Sequence, residues 1–203
     1  MKIQEPKVEK AQEKTFVEED YLEGVFTKNP EKEMKIEDRT IDSCIFKGSD
    51  FHKITLHQVD LMDVIFENCD LSNQKLDDHF LQRVKIINCK MIGTSFIHSS
   101  LKDVQILNTK APYLNFSSSK MNKVYIGESD LEESTFQEVE VKNLLFDKSK
   151  LERVEFYKTS LKDIDLSTCH IAGIRIDLPS LQGAIIDPFQ AIEFLPLLGV
   201  KIK

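Results

Sequence analysis

From Ile41 to Ile186, every fifth residue is apolar, through thirty consecutive positions without an exception. The series opens Ile41, Phe46, Phe51, Leu56, Leu61, Phe66 and closes Leu166, Ile171, Ile176, Leu181, Ile186. Hydrophobic residues make up 41% of the chain, so chance would fill about twelve of those positions. Neither common element repeats at five, since a helix returns to one face after about 3.6 residues and a strand after 2. A continuous helix would spread these side chains around its whole circumference. The period predicts a short extended step followed by a corner, repeated around a solenoid.

A second column sits two places before each central residue and is mostly small or β-branched, as in Cys44, Ser49, Ile54, Val59, Val64, Cys69. Over it lies a period of twenty. V-I-F-E-N-C-D-L from Val64 realigns with V-K-I-I-N-C-K-M from Val84, V-Q-I-L-N-T-K-A from Val104 and V-Y-I-G-E-S-D-L from Val124. Four five-residue steps therefore close one coil, with Val64, Val84, Val104 and Val124 stacked on one side. Cys69, Cys89, Thr109, Ser129, Ser149 and Cys169 stack on the next.

On these residues the chain resembles the pentapeptide-repeat family from 41 to 186. The resemblance implies an all-β fold, a right-handed quadrilateral β-helix with a C-terminal α-helix cap. Coils spaced like parallel strands, about 4.8 Å apart, would give 7.5 coils a length of about 36 Å. Such a stack needs covering at both ends, because its last coils expose core and strand edges.

Three regions follow: 1–40, a charged N-terminal tail and irregular cap; 41–186, the β-helix; and 187–203, a C-terminal helix and strand for capping and dimerisation. Residues 1–14 read as a solvated tail, and 15–40 as the cap, with a turn near Asn29-Pro30. Lys14 and Glu19 fall in inward slots, where a buried charge is costly. In the last region Asp187 suits a helix N-cap, Pro188 the first helical position, Pro196 interrupts the helix and Gly199 stops it. Val200-Lys201-Ile202-Lys203 alternates like a short strand. Phe189, Ile192, Phe194, Leu195, Leu197, Leu198 and Val200 are too many apolar residues for one helix face. Part of them is expected to cover the core and the rest to meet a second copy.

L-Q-G-A-I-I-D-P-F-Q-A followed by L-L-G-V also looks like the end of the quinolone-resistance (Qnr-type) members of that family. In them the tail joins two rods end to end, which implies a dimer about 70–80 Å long here. The Qnr-type resemblance further implies a DNA mimic that binds a type II topoisomerase, DNA gyrase or topoisomerase IV, and lowers susceptibility to fluoroquinolones. No loop interrupts the thirty steps, as in chromosomal relatives without loops.

Nothing in the sequence signals catalysis. There is no GxSxG, Gly-rich phosphate loop, HExxH or CxxC, and five histidines are scattered over different steps. The chain is read as a non-enzyme with no cofactor and no metal. Four cysteines without CxxC and no apolar leader suggest reduced thiols in a cytoplasm. Cys69 and Cys89 lie one coil apart, within disulfide reach, though stacked inward cysteines are more often core. Gln74 and His79 take consecutive inward slots, with Phe80 outward; a corner distortion or a partner-contact ridge would account for them.

Charge is banded. Asp60, Asp63, Glu67 and Asp70 form one acidic band and Glu128, Asp130, Glu132, Glu133, Glu138 and Glu140 another; these ten are the candidate partner contacts. Between them lie Arg83, Lys85, Lys90, Lys102, Lys110, Lys120 and Lys123 against Asp103 alone. A net charge of −7 argues against direct nucleic-acid binding. The alternative to topoisomerase binding is a rigid scaffold for some other protein.

Overall fold

The computed structural model describes residues 1–8, 12–16 and 23–201 of the chain. Nine strands form one parallel sheet: β1 Gln12–Lys14, β2 Gly24–Phe26, β3 Met34–Asp42, β4 Ile45–Lys47, β5 Ile54–Glu67, β6 Phe80–Ile87, β7 Ser100–Leu107, β8 Lys120–Gly127 and β9 Glu140–Asp147. They stack in the order β1-β2-β4-β5-β6-β7-β8-β9, with β3 paired to β5. Pairing runs at a spacing of twenty, from Val25↔Ile45 through Val64↔Val84 and Val104↔Val124 to the bridge Asp165↔Ile185. The result is a right-handed, four-sided β-helix.

The sides are named here by their central residues. Side A carries Leu61, Leu81, Leu101 and Met121; side B Phe66, Ile86, Ile106 and Ile126; side C Leu71, Met91, Ala111 and Leu131; side D Leu76, Phe96, Phe116 and Phe136. All thirty central residues are buried except Val141, Leu181 and Ile186, which pack half-buried against the same core. Corners fall two residues after each central residue, where the backbone turns left-handed: Asp63 (φ 54°), Asn68 (56°), Asn73 (60°) and Asp78 (61°) mark four in succession. Asn and Asp tolerate that conformation better than other non-glycine residues, because their short side chains bond locally.

The second inward column explains the small polar residues. Thr94 Oγ1 donates to Leu71 O (2.8 Å), Thr159 Oγ1 to Phe136 O (2.5 Å) and Ser149 Oγ to Ile126 O (3.3 Å). The same oxygens accept backbone N–H groups from the preceding coil, as in Thr109 N to Ser129 Oγ (3.1 Å) and Val139 N to Thr159 Oγ1 (2.9 Å). A hydroxyl in this slot therefore satisfies buried backbone that the strand ladder misses. Cys69 and Cys89 belong to this ladder: both thiols are free and buried, and Cys69 N–H points at Cys89 Sγ (3.3 Å). Contact with Cys69, together with burial, keeps the Cys89 thiol protonated.

Gln74 and His79 neither distort a corner nor form a ridge. Both are buried in the ladder. Gln74 Nε2 donates to Phe51 O (2.9 Å), the role that Thr94 plays one coil on, and His79 Nδ1 meets Asp77 O (2.7 Å). His79 Nε2 has no partner among the described residues. Burial pushes the His79 ring below its ordinary value, with the Asp77 carbonyl and the charges of Asp60 and Asp77 opposing and His57 adding to it. The unfolded chain, titrating near pH 6.5, takes up the proton first as pH falls. His79 thus contributes stability above about pH 6.5 that is lost as pH drops through that value toward the folded one. His79→Thr, which restores a ladder hydroxyl, should flatten the fall in urea midpoint between about pH 6.5 and 5. An unchanged pH slope would contradict this account.

Both ends depart from expectation. Residues 1–8 are not a free tail. Gln4 N donates to Asp103 Oδ1 (3.0 Å) and Lys7 N to Asp63 Oδ1 (2.8 Å). Those carboxylates lie two coils apart, about 9.6 Å, which is what three extended residues span. The segment therefore runs as an extended strap along the corner between sides A and B. The parallel ladder also begins earlier than residue 41, at β1 and β2, whose offset is twelve residues rather than twenty (Gln12↔Gly24). Phe16 closes that end by packing on Phe26 (ring centroids 5.0 Å) and Phe46 (5.8 Å). Pro30 is buried beside Asn29, whose Oδ1 accepts Asp50 N (2.7 Å). Lys14 is half-buried, while Glu19 lies outside the described residues.

At the far end the helix is present, over Gln190–Leu198, but it is a 3-10 helix rather than an α-helix. Asp187 Oδ1 accepts Phe189 N (2.7 Å) and Gln190 N (3.1 Å), and Gln190 Oε1 accepts Asp187 N (2.9 Å). That reciprocal pair is a capping box. Pro196 sits inside the helix and supplies no backbone N–H, so the segment cannot carry an unbroken α-helical ladder. Gly199 ends it in the left-handed conformation (φ 71°). A short α-helix, α1 Leu178–Leu181, lies just before, capped by Asp177. Val200 and Lys201 are not in a strand, and Ile202 and Lys203 lie outside the described residues.

Candidate partner-binding surface

Apart from the two inward columns, the side chains of each step project outward from the four sides of the rod. Among the described residues, no group of three or more His, Cys, Asp or Glu is arranged to hold a metal ion. No described helix is long and apolar enough to cross a membrane. On the outer surface, charge pairing follows the coil spacing.

Residues twenty apart are neighbours on adjacent coils, so the acidic bands meet bases that are distant in sequence. Asp63 takes both arms of Arg83 (2.6 Å each) and is buried beneath the N-terminal strap. Burial raises the Asp63 carboxyl, but the Arg83 fork, the Lys7 amide and their charges outweigh it and leave it below the usual range. Glu67 pairs with Lys47 (3.1 Å) and Asp70 with Lys90 (3.9 Å). In the second band Glu132 holds Lys150 and Arg153, Glu133 meets Arg153 (3.1 Å), Glu138 meets Lys158 (2.6 Å) and Glu140 meets Lys120 (3.4 Å). The Lys158 hydrogen bond holds the Glu138 carboxyl below its ordinary value. Asp130 accepts the Glu132 backbone N–H (3.1 Å) and Asp60 that of Phe80 (3.3 Å). Asp60 and Glu128 are exposed and meet no cation among the described residues.

The ten acids are not gathered on one side. Asp60, Asp63 and Glu140 lie on side A, Glu67 and Glu128 on side B, Asp70, Asp130, Glu132 and Glu133 on side C, and Glu138 on side D. Both bands wrap the rod, and most of their charge is met by the next coil.

Phe194 is buried, with Leu195 and Leu197 half-buried, so these cover the end of the core. Phe189 is 86% exposed, and Ile192, Leu198 and Val200 are exposed beside it. These four give the terminal segment an exposed apolar face at this end of the rod; Leu178 and Ile185, on the last coil, are exposed too.

Sequence reasoning missed the strap. Glu5 lies between Lys85 (3.2 Å) and Gln105 Nε2 (2.8 Å), and that amide hydrogen bond, against some burial, holds the Glu5 carboxyl below its usual range. No periodicity in M-K-I-Q-E-P-K-V marks it, because its partners lie 56 to 100 residues away.

Residues 59–136 match the family model for the pentapeptide repeat region. None of the curated proteins matches the chain. Among solved structures, trypsin-treated QnrB1, described as a plasmid-mediated fluoroquinolone resistance protein, is 20% identical over 90% of each chain, with a TM-score of 0.42. HetL, a pentapeptide repeat protein involved in heterocyst differentiation regulation from the cyanobacterium Nostoc sp. strain PCC 7120, is 13% identical over 81% of this chain and 85% of its own (TM-score 0.43). A pentapeptide repeat protein from the Arabidopsis thaliana thylakoid lumen is 23% identical over 46% of this chain and 66% of its own (TM-score 0.30).

Proposed function

We propose that the chain, whose residues 59–136 match the pentapeptide repeat region, is a non-enzymatic, rigid protein-binding rod whose partner is a type II topoisomerase, DNA gyrase or topoisomerase IV. The family provides the scaffold; the partner is inferred from the Qnr-type tail. The single observation that carries it is the end face around Phe189: the L-Q-G-A-I-I-D-P-F-Q-A segment caps the helix Gln190–Leu198, and Phe189, Ile192 and Leu198 stay exposed there. A second copy placed there would bury Phe189, Ile192, Leu198 and Val200 and double the rod. A dimer of such length has duplex-like reach, and a reduced cytoplasm, where topoisomerases act, suits its four free thiols.

The acids offered to the partner are the ten of the two bands; Asp60, Glu128 and Asp130 meet no cation among the described residues, and Asp60 and Glu128 are the exposed ones. Competition tests this reading. With labelled duplex DNA bound to gyrase, the purified protein should displace the duplex in proportion to its concentration. Displacement should weaken when Asp60 and Glu128 are both replaced by Lys. Failure to displace duplex from either topoisomerase would remove the assignment.

A specific observation favours the second reading, a scaffold for another protein. Seven of the ten band acids pair with a Lys or Arg of the rod, so the surface is less anionic than its sequence suggests. Under that reading the protein is inert toward both topoisomerases while keeping the same fold and end face.

A further inference from the structure

Side A changes sign along the rod. Near its start it carries Asp60 and Asp63, whereas from Ser100 to Asp163 it carries Lys102, Lys120, Lys123, Lys142 and Lys162 against Asp103, Glu140 and Asp163. Asp103 is buried and already held by Gln4 and Lys123, and Glu140 by Lys120. Lys102, Lys142 and Lys162 are exposed, share one column, and make no ion pair among the described residues. In a chain of net charge −7, this is a local surplus of cations.

The same stretch is dented. Pairing of β8 with β9 slips at Asn122, which faces Asn143, and Asn143 lacks the left-handed corner that Asp103 (φ 54°) and Lys123 (φ 59°) keep. Val141 is correspondingly half-buried, where Leu101 and Met121 are fully so. The irregularity opens a groove of about 550 Å³ bordered by Lys102, Lys120, Lys142, Asn122 and Val139, reaching Lys158 and Ser160. Those last two residues also border a neighbouring recess of about 760 Å³ against Tyr157 and Pro179. Asn122 Oδ1 is buried without a donor among the described residues. An orphaned buried acceptor is costly, and a backbone N–H is the donor that would satisfy it.

The rod already shows how it holds a peptide. On the corner bordering this side, residues 4–7 run extended, give backbone N–H groups to Asp103 and Asp63, and place the Glu5 carboxylate on Lys85. Three residues advance two coils there. Lys102 and Lys142 are likewise two coils apart.

We propose that side A between Ser100 and Lys162 is a docking groove for an extended acidic peptide segment of a partner protein, with carboxylates three residues apart. Lys102 and Lys142 receive successive carboxylates, Lys162 extends the field, and Asn122 accepts a backbone N–H. A peptide suits the site better than a nucleic acid because the internal precedent uses backbone N–H donors, which phosphates lack. The net negative charge also disfavours a polyphosphate. This site is independent of the topoisomerase reading, since no band acid other than Glu140 borders it.

Fluorescence anisotropy with the full chain tests it, using a short labelled peptide of E-x-x-E repeats with Ser and Val between. Controls are the same composition with its glutamates clustered, the Lys-for-Glu peptide, and a single-stranded oligonucleotide of equal charge. The E-x-x-E peptide should bind, and Lys102→Glu/Lys142→Glu/Lys162→Glu should weaken it by about tenfold or more. These lysines are exposed and unpaired, so the triple variant should keep the parent circular-dichroism melt. No binding, or equal binding by the triple variant, overturns the proposal. Equal or tighter binding of the oligonucleotide or of the clustered peptide overturns it too, because it would mark a generic polyanion surface.

Discussion

Replacing Phe116 by Ala should cost the rod about 3–5 kcal/mol and move the urea midpoint down sharply. Phe116 is fully buried at the middle of side D, between Phe96 (ring centroids 5.0 Å) and Phe136 (4.9 Å), with Phe156 a further 5.0 Å beyond Phe136. The coil rise, about 4.8 Å, sets that ring spacing, so each ring is held on both faces by its neighbours. A truncated ring leaves a cavity that the ladder cannot close, because hydrogen bonds such as Phe116 N to Thr135 O (2.8 Å) hold the coils at fixed spacing. In a stack where each coil touches only its neighbours, a central gap also divides the cooperative unit. Unfolding should therefore broaden or split into two steps as the midpoint falls. A loss below about 1 kcal/mol with a single sharp transition would mean that the core relaxes in a way this packing does not permit.

The tail variant should have the other large effect. With Phe189 and Ile192 both replaced by Asp, the proposed dimer should become a monomer, halving the mass seen by light scattering. Phe189 is 86% exposed, so its replacement removes little from the protomer's own core, and thermal stability of the monomer should hold. Phe194→Asp is the contrasting change: it strikes a buried residue and should destabilise the fold as well as any dimer. An unchanged mass for the Phe189/Ile192 double variant would place the contact elsewhere.

The core was legible from one period, and so was the coil, because Val64, Val84, Val104 and Val124 recur at twenty and pair at twenty. The same number decided the electrostatics, yet charges read along the chain hid it. Asp63 and Arg83, or Glu138 and Lys158, look like members of separate bands until the coil places them side by side. In a solenoid the neighbour that screens a charge is one coil away, so a linear run of acids overstates the field it makes.

Other features had no sequence signal of that kind. Gln74 and His79 look like intruders in an inward column of small residues. They fit because that column's task is to satisfy backbone groups, which an amide or an imidazole can do as a hydroxyl does. The N-terminal strap depends on contacts 56 to 100 residues away and carries no apolar periodicity. The element expected as an α-helix after Asp187 is a 3-10 helix; Pro196, which interrupts an α-helical ladder, was visible, but the pattern a short capping element takes depends on packing. The dent on side A likewise lies in a stretch whose central residue, Val141, keeps the period without exception.

A gyrase supercoiling assay with the purified protein, run with and without ciprofloxacin, tests the central functional claim most directly. The account predicts that the protein either restores supercoiling to the drug-poisoned enzyme or inhibits the drug-free one, with the effect lost in the Phe189/Ile192 double variant. No effect in either arm, nor in the matching topoisomerase IV decatenation assay, from well-folded protein would contradict it and leave a β-helical rod that serves a different partner.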